Sequence, residues 1–218
     1  MNSALIQLLV LAAIAVFLVL RLRNVLGTRD GYEPPLERTG PTTQPARDFE
    51  VIEGGPDPDI ADHVDPDGRA GQAFAAMKRI EPDFSVSEFQ SGARQAYEMI
   101  LMAFEGDDLD TLKSFLSPDV YDSFAEVVAE RQAKGLKVHA NFIGVRDLKL
   151  MDAMFDPANS EAEITMKFVG EITSCVKDAD GVVIEGDPNA IKRQKDVWTF
   201  GRIMGSDDPN WQLVATGE

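Results

Sequence analysis

Glu161-Ala162-Glu163-Ile164-Thr165-Met166-Lys167-Phe168 alternates polar and apolar residues without a break. Alternation at period two sends one set of side chains to one side of a pleated strand, so this stretch reads as a strand with one buried face. Upstream of Gly135 the pattern is different, because there the apolar residues recur every three or four positions. Strands are therefore expected only after that glycine, at about 138–151, 161–174, 192–204 and 211–216. Turn residues at Asp156-Pro157, Asp180-Gly181 and Asp208-Pro209-Asn210 separate them. A block of helices followed by a block of strands defines an α+β fold, with helices packed on a four-stranded antiparallel sheet.

Working back toward the N-terminus, Ser117-Pro118 opens one predicted helix, with Tyr121, Phe124, Ala125 and Val128 as its buried stripe. On its outer face Glu130 and Lys134 are ordered for an i, i+4 pair, and Gly135 supplies the stop. Asp108 caps a shorter helix over about 109–116. Ser85 and Glu88 have capping-box spacing ahead of Phe89, Ala93, Ala96, Tyr97, Ile100 and Phe104, which repeat at helical intervals up to Gly106. A further amphipathic helix over about 67–80 follows Pro66 and carries Ala70, Ala73, Phe74, Met77 and Ile80.

Residues 30–66 have a net charge of −8 and hold seven of the twelve prolines. Such a stretch buries too little apolar surface to offset its ordering entropy, and it reads as a disordered acidic tether. Asp57, Asp59, Asp62, Asp65 and Asp67 ahead of Gly68 resemble a calcium loop only superficially. Counting from the glycine puts His63 in the first ligand position and Phe74 where a glutamate is needed.

From Ala4 to Leu20 only Gln7 is polar, and Arg21, Arg23 and Arg29 follow. Seventeen helical residues span about 26 Å, close to the hydrocarbon thickness of roughly 30 Å. A cleaved signal peptide would carry its positive charge before the apolar run, whereas here the charge lies after it. Residues 1–29 are therefore expected to be an uncleaved membrane anchor with a basic flank, N-terminus out and the remainder in the cytoplasm. No Arg-rich transit peptide precedes the run, which favours a bacterial inner membrane. The expected organisation is anchor at 1–29, tether at 30–66 and folded domain at 67–218.

The chain carries 21 basic and 37 acidic residues among 218, a net charge of −16. That balance argues against a nucleic-acid surface, which needs clustered Lys and Arg. One cysteine, Cys175, and two histidines, His63 and His139, are too few for a disulfide framework or a zinc site. No catalytic, cofactor-binding or metal-binding residue is expected. Tyr97 and Tyr121 neighbour Glu98 and Asp122 in sequence, but adjacent helical side chains diverge and do not meet. Tyr97, Phe104, Trp198 and Phe200 are candidates to border an apolar groove between helices and sheet, with burial in the core as the competing reading.

Six strings in order carry a resemblance. They are Ile80-Glu81-Pro82-Asp83-Phe84, Gly92-Ala93-Arg94-Gln95-Ala96-Tyr97, Ala103-Phe104-Glu105-Gly106-Asp107 and Tyr121-Asp122-Ser123-Phe124, then Val197-Trp198-Thr199-Phe200-Gly201-Arg202 and Asn210-Trp211-Gln212-Leu213-Val214-Ala215. Together, over about 74–216, the chain resembles the Tim-forty-four-like domain of the mitochondrial inner-membrane translocase and its membrane-anchored bacterial relatives of the TimA type. The resemblance implies a cone-like fold with a curved four-stranded antiparallel sheet, similar to nuclear-transport-factor-type folds, and a concave pocket. It also implies a non-enzymatic adaptor that recruits or positions inner-membrane and cytoplasmic proteins, in protein translocation or membrane-protein biogenesis. The expected partners are proteins, the bilayer through the N-terminal helix, and an apolar peptide or lipid in the groove. The alternative is a small-molecule or lipid-binding pocket protein, or a pocket enzyme of the same shape.

Overall fold

The computed structural model describes residues 55–217. The anchor expected at 1–29, with Arg21, Arg23 and Arg29, lies outside the described residues, as does the tether up to residue 54. Among the described residues no helix is long and apolar enough to cross a membrane.

Among the described residues five helices precede the sheet: α1 (Pro58–Ala61), α2 (Arg69–Ile80), α3 (Val86–Glu105), α4 (Leu109–Phe115) and α5 (Pro118–Ala133). Their starts obey the capping chemistry read from the sequence. Ser85 Oγ accepts from the Glu88 N–H at 3.2 Å, and Asp108 Oδ1 accepts from the Thr111 N–H at 3.0 Å. Pro118 occupies the first turn of α5, where the missing N–H costs no intrahelical bond, and Lys134 donates to Glu130 at 2.6 Å near its end. The stripe expected on α5 is only partly realised, because Val128 is fully buried while Tyr121, Phe124 and Ala125 are half-buried.

The strands β1 (Lys137–Asp156), β2 (Glu161–Lys177), β3 (Val183–Ile203) and β4 (Gln212–Gly217) form one antiparallel sheet in the order β1-β2-β3-β4. The α+β architecture is thus as the periodicity implies. Ala162, Ile164, Met166 and Phe168 on β2 are all completely buried against the helices. Three register shifts between β1 and β2, at Phe142/Gly144, Val145/Asp147 and Leu150/Asp152, insert bulges that bend the strand.

β1 runs to Asp156 and β2 to Lys177, past the expected 151 and 174, and two boundaries differ by more. β3 starts at Val183 and not near 192, because residues 183–191 are wholly exposed and no buried face imposes an alternation to detect. Likewise, the folded part begins before Asp67. Residues 57–66, read as tether, include α1, whose Ile60 is 3% exposed in the core.

What holds this segment is a carboxylate at the start of α3. Asp59 accepts from the Val86 N–H at 2.7 Å, the Ser87 N–H at 3.1 Å and the Ser87 hydroxyl at 2.8 Å. Lys78 Nζ bridges it to Asp57, at 2.9 Å and 2.8 Å respectively. The first-turn N–H groups of a helix lack intrahelical partners, so an anion placed there satisfies donors and meets the positive end of the helix dipole. Partial burial works to raise the Asp59 carboxyl, but Lys78 and the Val86 and Ser87 donors overcome it and hold the group well below the usual carboxylate range.

A folded pKa depressed below the unfolded value gives stability that is complete above about pH 4 and is lost as pH falls toward the folded pKa. Asp59→Asn is therefore expected to cost about 1–3 kcal/mol at pH 7. Its deficit against the parent chain shrinks as pH is lowered through 4, as read by urea denaturation across that range.

Candidate functional site

The core of the site is built where α3 crosses β2 and β3. Tyr97 is completely buried and lies flat on Phe168, ring centroids 4.4 Å apart and planes within 3°, with Trp198 tilted against it at 4.7 Å. Such stacked and tilted aromatic contacts add about 0.5–1.5 kcal/mol each beyond the area they bury. The ring fits because Gly170, two residues beyond Phe168 on the same face of β2, carries no side chain. A Cβ there would sit 2.7 Å from the Tyr97 hydroxyl oxygen.

That hydroxyl donates to Asp196 Oδ2 at 2.6 Å, and Gln194 Nε2 donates to Asp196 Oδ1 at 3.1 Å. Burial pushes the Tyr97 phenol far up, and the hydrogen bond and charge of Asp196 push it further, which favours the neutral, donating phenol. Asp196 lies 99 residues from Tyr97 in sequence, so adjacency along the chain does not reveal it as the partner. The signal was present all the same: Asp196, Trp198 and Phe200 share one face of a period-two strand, and a carboxylate in that series is out of place.

Next to this pair a groove of about 320 Å³ runs between α3, α5 and the β3–β4 end of the sheet. Its apolar walls include Phe104, Phe124 and Trp198, and its polar end is Gln194, Asp196 and Thr216. Phe104 is fixed by Arg131, whose guanidinium lies 4.2 Å from the ring centroid and donates to the Phe104 carbonyl at 2.9 Å. Of the four candidate border residues, Phe104 and Trp198 line the groove. Tyr97 stands behind it and meets it through Asp196 and Trp198. Phe200 is 2% exposed and packs edge-on to Phe89 at 6.0 Å, in the core.

Other groups considered from the sequence lie elsewhere. His63 is held by Ser87 and Gln90, at 2.8 Å and 2.9 Å; His139 is exposed; Cys175 is a buried free thiol. Among the described residues no group of three or more His, Cys, Asp or Glu side chains could hold a metal ion.

A second polar constellation ties together strings that are remote in sequence. The almost fully buried Arg202 pairs with Glu81, donates to the Pro209 carbonyl at 3.0 Å and lies over the Trp211 ring at 5.4 Å. Glu81 in turn accepts from the Gly205 N–H at 2.6 Å. The entry Ile80–Phe84, the end of β3 and the start of β4 meet through this one ion pair.

This geometry belongs to a known class of domain. Residues 70–218 match the family model described as the Tim44-like domain, and the chain belongs to that family. It is similar to the mitochondrial import inner membrane translocase subunit TIM44 of Homo sapiens, 24% identical over 146 residues that make up 66% of this chain and 32% of the relative. It is also similar to TIM44-1 of Arabidopsis thaliana, 22% identical over 155 residues, 66% of this chain and 31% of that protein. The chain thus spans about a third of the length of the curated relatives it matches. A crystal structure of the intermembrane space region of chloroplast protein ARC6 aligns with a TM-score of 0.37. The identity is 16% over 66% of this chain and 94% of that one, too distant to carry an argument.

The close approach of Tyr97 to β2 can be tested without any ligand. Gly170→Ala is expected to destabilise the domain by about 1–3 kcal/mol through overpacking. Part of that loss is expected to be recovered in the double variant Gly170→Ala, Tyr97→Phe, where the nearest atom is gone. Equal, additive losses in thermal or urea unfolding would show that the two residues do not compete for space.

Proposed function

We propose that this protein is a membrane-held adaptor that recruits or positions partner proteins at the cytoplasmic face of a bacterial inner membrane, in protein translocation or membrane-protein biogenesis. The reading rests on one observation, a Tim44-like domain over 70–218 preceded in the same chain by the apolar run Ala4–Leu20. The relatives are named as subunits of an inner-membrane import translocase, and a related role at a membrane suits a domain delivered on an anchor. Arg21, Arg23 and Arg29 set its orientation, with the N-terminus out and the domain in the cytoplasm.

The mechanism is effective concentration. An acidic linker between anchor and domain keeps the domain close to the bilayer, so each encounter with a membrane partner becomes nearly intramolecular, and a modest intrinsic affinity suffices. No bond-making chemistry is assigned. The Tyr97–Asp196 pair has its donor fully engaged and its phenol held neutral, an arrangement suited to fixing α3 on the sheet and not to proton transfer.

The groove beside Asp196 favours a second reading, a carrier of a small amphiphile, because apolar walls and a single polar end suit a chain with one hydrogen-bonding head. The two readings part on purification of the full chain from membranes. A stoichiometric lipid would support the carrier, and associated membrane proteins the adaptor.

Crosslinking in cells with and without residues 1–27 tests the adaptor mechanism. Deletion is expected to release the protein from membranes and to abolish its crosslinks to membrane partners. Unchanged localisation and crosslinks would contradict it.

A further inference from the structure

β4 pairs with β3 only from Val197 to Gly201 and ends at Gly217, opposite Val197. β3 itself continues from there toward its start, paired with β2 alone. Along residues 192–196 the described residues, which stop at Gly217, place no strand on the other edge of β3. Backbone groups directed off such an edge are satisfied by water or by an added strand. The edge is bounded on its far side, because Asp187 pairs with Ser174 and Lys192 with Ile172, so that residues 188–191 bulge out of the ladder.

The register decides which side chains flank this open edge. Asp196 is opposite the buried Phe168, so Asp196, Gln194 and Lys192 lie on the helix-facing side, and Lys195 and Arg193 on the other. On the helix-facing side the edge opens into the groove walled by Phe104, Phe124 and Trp198. On the other side Arg193 is paired with Glu171 at 3.0 Å, whereas the exposed Lys195 has no ion pair among the described residues. Lys192, Arg193 and Lys195 against Asp196 give residues 192–196 a net charge of +2, opposite in sign to the −11 of residues 67–218.

We propose that residues 192–196 of β3 and the adjoining groove take an extended segment of a partner protein, added as a strand alongside β3, with alternating apolar and acidic side chains. The period of two dictates the pattern: every second residue of an added strand enters the Phe104–Trp198 groove, and the residues between lie beside Lys195 and Arg193. A second copy of this chain offering the same edge would set lysine and arginine against lysine and arginine, and a like-charged edge resists such pairing. The proposal deepens the adaptor reading and rests on it, since it supplies the chemistry of the protein recruited.

The test uses the full chain in detergent and a synthetic peptide alternating valine and glutamate. Binding is read by anisotropy and by hydrogen exchange at residues 192–196. The peptide is expected to bind, to slow exchange at those amides, and to lose about fivefold in affinity with Lys195→Glu. A valine–lysine peptide is expected to show the opposite preference between the two chains. Absence of binding, binding without protection of 192–196, indifference to Lys195→Glu, or equal protection by anionic phosphatidylglycerol vesicles would each overturn the site. Should the peptide fail while the anchor-dependent crosslinks in cells persist, the edge site falls and the adaptor reading stands. Loss of those crosslinks from the intact chain would remove the adaptor reading itself.

Discussion

Tyr97 rests flat on Phe168 with ring centroids 4.4 Å apart, and it can do so only because Gly170 leaves the next position on that face of β2 empty. This contact sets how closely α3 approaches the sheet. The rest of the aromatic core follows from it: Trp198 tilts against both rings, Phe200 closes against Phe168 and Phe89, and the phenol reaches across to Asp196. The hydrogen bond from the phenol to the Asp196 carboxylate fixes orientation and contributes about 1.5–3 kcal/mol net, comparable to the burial of one large side chain. Burial of the rings supplies the larger share of the stability, of order 1.5–3 kcal/mol for each large side chain.

The helices cover one part of the sheet and leave another bare. β2 is alternately buried along nearly its whole length, whereas the first eleven residues of β3 are exposed. Val183, Ile184 and Ile191 stand in solvent there, at 43% to 60% exposure. The proposed docking surface lies at the border between these regions, where the aromatic core ends in the groove. The α3–β2 contact supplies a rigid frame beside that border, since densely packed buried elements open last.

How much of this is legible in the sequence depends on whether a residue answers to its neighbours along the chain or to a distant partner. The strand at 161–168, the Ser85–Glu88 cap, the Asp108 cap and the Pro118 start are all local, and each is present as read. By contrast, Asp59 and Lys78 answer to partners 19 or more residues away, so residues 57–66 look like acidic linker although Asp59 seats α1 on α3. Asp196 went unnoticed for the same reason. β3 from 183 to 191 gave no signal because periodicity reports a buried face, and that segment has none. The aromatic candidates divide along this line too: Phe104 and Trp198 border the groove, but nothing local distinguishes them from Phe200, which belongs to the core.

Hydrogen exchange of the full chain in its native state measures the division between rigid frame and open edge directly. Amides of β2 at 164–168 are expected to exchange only through global unfolding, while those of β3 at 183–196 exchange through local opening, orders of magnitude faster. Uniform protection along the whole of β3, equal to that of β2, would mean that its distal half is covered in the native state, and the account of an unsatisfied edge beside a fixed core would be wrong.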